Sequence, residues 1–129
     1  MKKKVLVVNA NYYKEISDGL ISSALKLIEG QYIIKVIDVP GVFEIPVTIS
    51  KNLKKFDAFI ALGCVIKGQT PHFDFISQAS TTAIMTLSIE SRKPIGNGII
   101  TCLNMKQAKE RKKKGAEAAK AIISILNQR

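Results

Sequence analysis

Ala58-Phe59-Ile60-Ala61-Leu62-Gly63-Cys64-Val65-Ile66-Lys67-Gly68-Gln69-Thr70-Pro71-His72-Phe73 changes character twice along its length. Ala58 to Val65 is apolar with no polar alternation, the mark of a strand buried on both faces. Lys67 to Pro71 is polar, holds Gly68 and breaks the strand. From Phe73 to Glu90, Ile76, Ala79, Ala83, Met85 and Leu87 recur at near-helical spacing, with small residues that permit close packing. An open parallel α/β sheet delivers its ligand-binding groups in this order: strand, turn, helix. The turn and the helix start offer N–H groups to an anion. The segment also carries His72, the only histidine in the chain, and an imidazole titrates near neutral pH.

The same alternation extends in both directions. Val5 to Val8 reads as a buried strand and Asn9 to Ile16 as a polar and aromatic loop. Ser17 or Asp18 can cap a helix that sets Leu20, Ile21, Ala24, Leu27 and Ile28 on one face and ends at Gly30. Ile33 to Val39 is a second strand, broken by Pro40-Gly41. A helix from about Glu44 to Lys55 tolerates Pro46 in its first turn. Pro94 to Ile100 is the fourth strand. Met105 to Gln128 reads as one last helix, with Ala118, Ile122, Ile125 and Leu126 facing inward. Four strands alternating with helices predict a single α/β domain over residues 1–129. Its expected form is a three-layer α/β/α sandwich around a four-stranded parallel sheet of flavodoxin-like topology. That topology gathers Asn9 to Tyr13, Pro40 to Glu44 and Gly63 to His72 at one edge.

Composition narrows the class. The chain has 129 residues and is 47% hydrophobic, so it can bury a core without disulfides or metals. Its net charge is +10, concentrated in Lys2-Lys3-Lys4 and in Lys106 to Lys114. Nucleic-acid binding is disfavoured, because few aromatics interleave with the lysines as a stacking platform requires. A solvated basic face that attracts phosphorylated metabolites fits better. Cys64 and Cys102 form no CxxC pair, which suits a reduced, cytoplasmic protein. The apolar run after Lys4 stops at Asn9, too short for a signal peptide. No stretch approaches the ~20 apolar residues of a membrane span.

The gathered segments hold usable chemistry. His72 is a candidate general acid or base. Gly68, Gln69 and Thr70 can hold a phosphate through backbone N–H groups and a hydroxyl. Glu44 can hydrogen-bond a polyol or a pyrimidine edge. Tyr12 or Tyr13 can stack on a flat heterocycle. Arg111 offers the fork that phosphate recognition favours. No His, Cys and Asp spacing suits a metal. Walker and dinucleotide fingerprints are both missing. A phosphoacceptor module would need carboxylates after the first strand, and a flavin-binding module a hydroxyl-rich loop there. Asn9-Ala10-Asn11 supplies neither.

Three stretches carry a resemblance. Val39-Pro40-Gly41-Val42-Phe43-Glu44-Ile45-Pro46 resembles the pattern VPGA(F/Y)E(I/L)P. Asp57 to Phe73 resembles D-A-x-I-x-L-G-x-V-I-(R/K)-G-x-T-x-H-(F/Y). Gln107-Ala108-Lys109-Glu110-Arg111 with Lys114-Gly115-Ala116-Glu117-Ala118-Ala119 resembles the C-terminal signature of the same family. The chain is thereby similar to the 6,7-dimethyl-8-ribityllumazine synthases of riboflavin biosynthesis. The resemblance implies a transferase without metal or cofactor that joins 5-amino-6-(D-ribitylamino)uracil to 3,4-dihydroxy-2-butanone 4-phosphate. It implies that an aromatic ring near Tyr12 stacks on the pyrimidine, and that Val42, Phe43 and Glu44 hold the ribityl chain and ring. Cys64, Val65 and Ile66 would present backbone to the uracil edge. Gln69 and Thr70 would meet the phosphate, and His72 would move protons. It further implies a homo-oligomer, pentamer or decamer, with sites between subunits, so that Asn97, Arg111 and Lys114 come from the adjacent chain.

The sequence departs from the family pattern in four places. Asn97 stands where many members place an aromatic residue from the neighbour, so an amide contact is expected in place of stacking. Cys64 stands where Thr or Ser is common. The first strand begins almost at Met1, so no N-terminal arm is expected. Only Lys112 and Lys113 separate Arg111 from Lys114-Gly115, which predicts one straighter final helix and argues against a 60-subunit shell.

Overall fold

Eight of the nine residues of the strand Ala58–Ile66 are buried, which makes it a central strand. The computed structural model describes residues 1–128. Arg129, the last residue of the expected domain, lies outside the described residues. The strands are β1 (Lys4–Ala10), β2 (Ile33–Val39), β3 (Ala58–Ile66) and β4 (Ile95–Cys102). They form one sheet in the order β2-β1-β3-β4, parallel throughout. The first strand pairs with both the second and the third, so the chain reverses its winding there, which defines the switch point. This is the expected four-stranded flavodoxin-like sandwich.

The helices fall on both faces. Helices α1 (Lys14–Ile28), α4 (Met105–Arg111) and α5 (Gly115–Leu126) cover one face, where Leu20, Ala24, Ala108, Ala118, Ala119 and Ile122 meet Val5, Val7 and Ile60. A 3-10 turn (Val42–Glu44), α2 (Ile45–Lys51) and α3 (His72–Ser91) cover the other, where Val42, Ile45, Ile49 and Ile84 meet Leu6, Val8 and Phe59. Among the described residues no helix is long and apolar enough to cross a membrane.

Several boundaries differ from the sequence reading, each for a local reason. Helix α1 begins at Lys14, with Tyr13 at its N-cap, and not at Ser17 or Asp18. Ser17 lies inside the helix and donates back to the Lys14 carbonyl at 3.1 Å, while Asp18 pairs with Lys14 one turn earlier at 3.4 Å. The helix after Pro40-Gly41 opens as the 3-10 turn, with the Glu44 N–H on the Gly41 carbonyl, and ends at Lys51. The buried side of α3 follows Ser80 and Ile84, with Ile76 and Leu87 partly buried; Met85 points outward.

The largest correction concerns the C-terminal helix, which is two helices and not one. The Asn104 side chain caps α4 by accepting from the Gln107 N–H at 2.9 Å. Gln107 reaches back to accept from the Leu103 N–H, just before the cap, at 2.8 Å, so the cap is locked from both sides. The chain then breaks over Lys112 to Lys114 and restarts at Gly115. A Cβ at Gly115 would collide with the Leu20 carbonyl oxygen, and one at Gly96 with that of Ala118. The break thus brings α5 into backbone contact with α1 and β4 while α4 stays at the end of the sheet. Ile125 is exposed on α5, contrary to the inward face expected for it.

Candidate active site

The carboxyl ends of β1, β2 and β3 open into one crevice of about 730 Å³. Tyr12 and Tyr13 follow β1; Gly41, Val42 and Phe43 follow β2; Cys64, Val65 and Ile66 end β3; His72 and Ile76 come from the first turn of α3. Its walls are mostly apolar, and two rings stand open to solvent: Tyr12 is 74% and Phe43 70% exposed. Exposed aromatic rings with nothing stacked on them suit a flat heterocycle.

Tyr12 and Tyr13 differ in role. Tyr13 packs against the core beneath α1, and its ring and that of Tyr12 meet nearly perpendicular, with centroids 4.9 Å apart and planes at 84°. Burial, then the nearby Cys64 and Tyr12, raises the Tyr13 phenol above its ordinary pKa. Cys64 is buried, and its thiol is pushed up from 9.0 to about 12 by that burial and then by Cys102. A thiol held there is neutral at physiological pH and is no nucleophile. What Cys64 can offer at neutral pH is backbone.

His72 opens α3, and its N–H faces the Thr70 hydroxyl at 3.4 Å. The residue before it is Pro71, with no side-chain cap, so the first turn keeps N–H groups free for an anion. Gln69 and Thr70 lie in the exposed turn at the mouth of the crevice and do not line its wall. Glu44 lines an adjoining groove with Phe43, Pro46, Val47 and Ile76, its carboxylate standing over Gly41.

Three expected site residues sit apart within one chain. Arg111 donates to the Thr101 carbonyl at 3.2 Å, at the end of β4. With Lys114 it lines a shallow basic depression at the helix break, beside Glu110, Lys113 and Glu117. Lys114 pairs with Glu117 at 3.2 Å. Asn97 is exposed on the edge strand, opposite Ala61, and its side chain accepts from the Ile99 N–H at 3.0 Å. Ile76 and Gly41 line the crevice without having been singled out. Ile76 was findable, since it lies one turn beyond His72 on the same helix face. Among the described residues no three His, Cys, Asp or Glu side chains come together as a metal site.

Apolar walls, open aromatic rings and one imidazole at the switch point of a parallel sheet define an enzyme of the flavodoxin-like α/β class acting on small molecules. Comparison with known proteins gives the family. Residues 2–129 match the model of 6,7-dimethyl-8-ribityllumazine synthase. The chain is 42% identical to the 6,7-dimethyl-8-ribityllumazine synthase of Bartonella tribocorum, covering 98% of this chain and 91% of that one. It is 41% identical to that of Methylobacterium radiotolerans, covering 95% and 80%. It is 40% identical to that of Zymomonas mobilis, covering 96% and 94%. The chain belongs to the 6,7-dimethyl-8-ribityllumazine synthase family.

Proposed function

We propose that this chain condenses 5-amino-6-(D-ribitylamino)uracil with 3,4-dihydroxy-2-butanone 4-phosphate in riboflavin biosynthesis, in a crevice that a neighbouring copy completes. The observation that carries the reading is the convergence of Tyr12, Phe43, Cys64 to Ile66 and His72 in one crevice of a chain that matches this family from residue 2 to 129. The exposed Tyr12 ring stacks on the pyrimidine. Val42, Phe43 and Glu44 hold the ribityl chain, and the backbone of Cys64, Val65 and Ile66 meets the uracil edge. Gln69 and Thr70, at the free N-terminus of α3, take the phosphate.

The chemistry follows from these positions. The 5-amino group attacks the ketone and loses water as an imine. Loss of a proton next to the imine then expels phosphate, and the ribitylamino nitrogen closes the ring on the carbonyl so formed, with loss of water. Holding two reactants together supplies much of the acceleration. His72 moves protons, and Arg111 stabilises the departing phosphate. Arg111, Lys114 and Asn97 lie outside the crevice of their own chain, which supports a site shared between copies. The outer stripe of α3, with Phe75 and Ile89 more than 60% exposed and Met85 beside them, supports a homo-oligomer in which such surface is covered. A pentamer, alone or paired as a decamer, closes such an interface by symmetry. Two free cysteines support a cytoplasmic setting.

The test is an absorbance assay with both substrates and purified protein. Saturable lumazine formation above the uncatalysed rate is expected. No turnover from a folded oligomer would overturn the reading. A mixing experiment addresses the shared site: His72→Ala and Arg111→Ala proteins, each impaired, are dissociated and reassembled together. Random assembly restores about a quarter of the sites if the two residues come from different chains, and none if they come from one.

A further inference from the structure

We propose that Tyr13 is a positioning residue that fixes the plane of the Tyr12 ring, and so sets the affinity of the crevice for a flat heterocycle. The inference rests on the reading that Tyr12 stacks on the pyrimidine. Tyr12 is exposed over most of its surface, and among the described residues no hydrogen-bond partner of its side chain is found to orient it. Its neighbour Tyr13 is anchored, half-buried against the layer beneath α1, and the two rings meet nearly perpendicular, with planes at 84° and centroids 4.9 Å apart. A perpendicular contact of this kind is the favoured geometry of an aromatic pair, and Tyr12 stays 74% exposed beside it, so ring surface remains open to a ligand. An exposed ring braced by a neighbouring ring has less freedom to lose when a ligand stacks on it.

Tyr13 also occupies a position where helix physics prefers another residue. It is the N-cap of α1, with extended backbone, and its side chain satisfies none of the helix's first N–H groups. Asn, Asp, Ser and Thr do so, and their absence costs about 1 kcal/mol of helix stability. A locally unfavourable choice on the wall of a binding crevice points to a role in the site.

The experiment is fluorescence titration of the oligomer with the product, 6,7-dimethyl-8-ribityllumazine, on four variants, with thermal unfolding measured alongside. Tyr12→Leu weakens binding about tenfold through loss of stacking. Tyr13→Leu keeps the burial, loses the ring edge, and weakens binding about three- to tenfold. Tyr13→Phe restores the edge and stays within about twofold of the parent. The double variant Tyr12→Leu/Tyr13→Leu binds no more weakly than Tyr12→Leu alone, since Tyr13 acts only through Tyr12. Full additivity, or unchanged affinity in Tyr13→Leu, overturns the positioning role while leaving the function intact. Unchanged affinity in Tyr12→Leu overturns both the stacking reading and this inference. Tyr13→Asn gives an independent readout, because it restores a cap. It removes the ring altogether and is expected to bind about as weakly as Tyr13→Leu, and binding equal to or tighter than the parent's overturns the proposal.

Discussion

The two faces of the sheet are built to different standards. On the α1/α5 face, backbone touches backbone: Gly115 lies on the Leu20 carbonyl, Gly96 on that of Ala118, and Ile16, Leu20, Ala24 and Ile28 are buried along the whole of α1. On the opposite face, the 20-residue α3 buries only Ser80 and Ile84, and Phe75, Met85 and Ile89 stand in solvent, as do Val47 and Phe43 in the same layer. The first face is finished within one chain, whereas the second leaves more apolar surface open than a monomer needs. The crevice opens beside the unfinished face, and Arg111 lies at the end of the finished one. A site shared between copies, as proposed, would ask one layer to be rigid and the other adhesive, and the two layers differ in that sense.

The sharpest way to break this contrast is to enlarge a glycine of the finished face. Gly115→Val forces a side chain into the Leu20 carbonyl and is expected to cost about 3 kcal/mol or more, read as the shift of the urea midpoint. A stability unchanged by that substitution would mean the α1/α5 contact is loose. Activity comes next in size. Arg111→Ala is expected to lower kcat by about 10²–10³-fold, as for removal of one preorganised donor to a developing anion. His72→Ala is expected to lose no more than about 10²-fold, because the reactants remain juxtaposed. Abolition of turnover in a folded His72→Ala oligomer would contradict that emphasis on proximity.

The unfinished face is probed by Met85→Glu with Ile89→Glu. Each burial of such a side chain against a partner contributes about 1.5–3 kcal/mol, so the pair is expected to dissociate the oligomer while the far-ultraviolet spectrum persists. An assembly unaltered in sedimentation would show that α3 is a free surface. The smallest effect concerns pH. The Cys64 thiol is raised in the folded state to about 12, against 9.0 ordinarily. The folded chain therefore keeps a proton that the unfolded chain has lost, and its stability falls between about pH 9 and pH 12. Cys64→Ser removes that contribution, so its stability is expected to fall less steeply over this range than that of the parent. Parallel curves would show that burial of Cys64 is not coupled to folding.

Much of this was legible in the residues themselves. The run Ala58 to Val65 has no polar alternation, and a strand of that kind can satisfy itself only at the centre of a sheet with both faces covered. Strand–helix alternation then leaves few topologies, and the ends of the first three strands must converge. Hence Tyr12, Phe43, Cys64 and His72 could be placed at one site, and long motifs could name the family. Tertiary contact decided what sequence spacing does not encode. The break at Lys112 to Lys114 is hidden in the sequence, since only Lys112 and Lys113 separate Arg111 from Lys114-Gly115, a spacing that suggests one straighter helix. Where it falls, Gly115 and Gly96 let α5 approach α1 and β4 to backbone distance, a contact that no local pattern reveals. Likewise Tyr12 and Tyr13 are adjacent and chemically alike, and only packing against α1 makes one the wall and the other the open face.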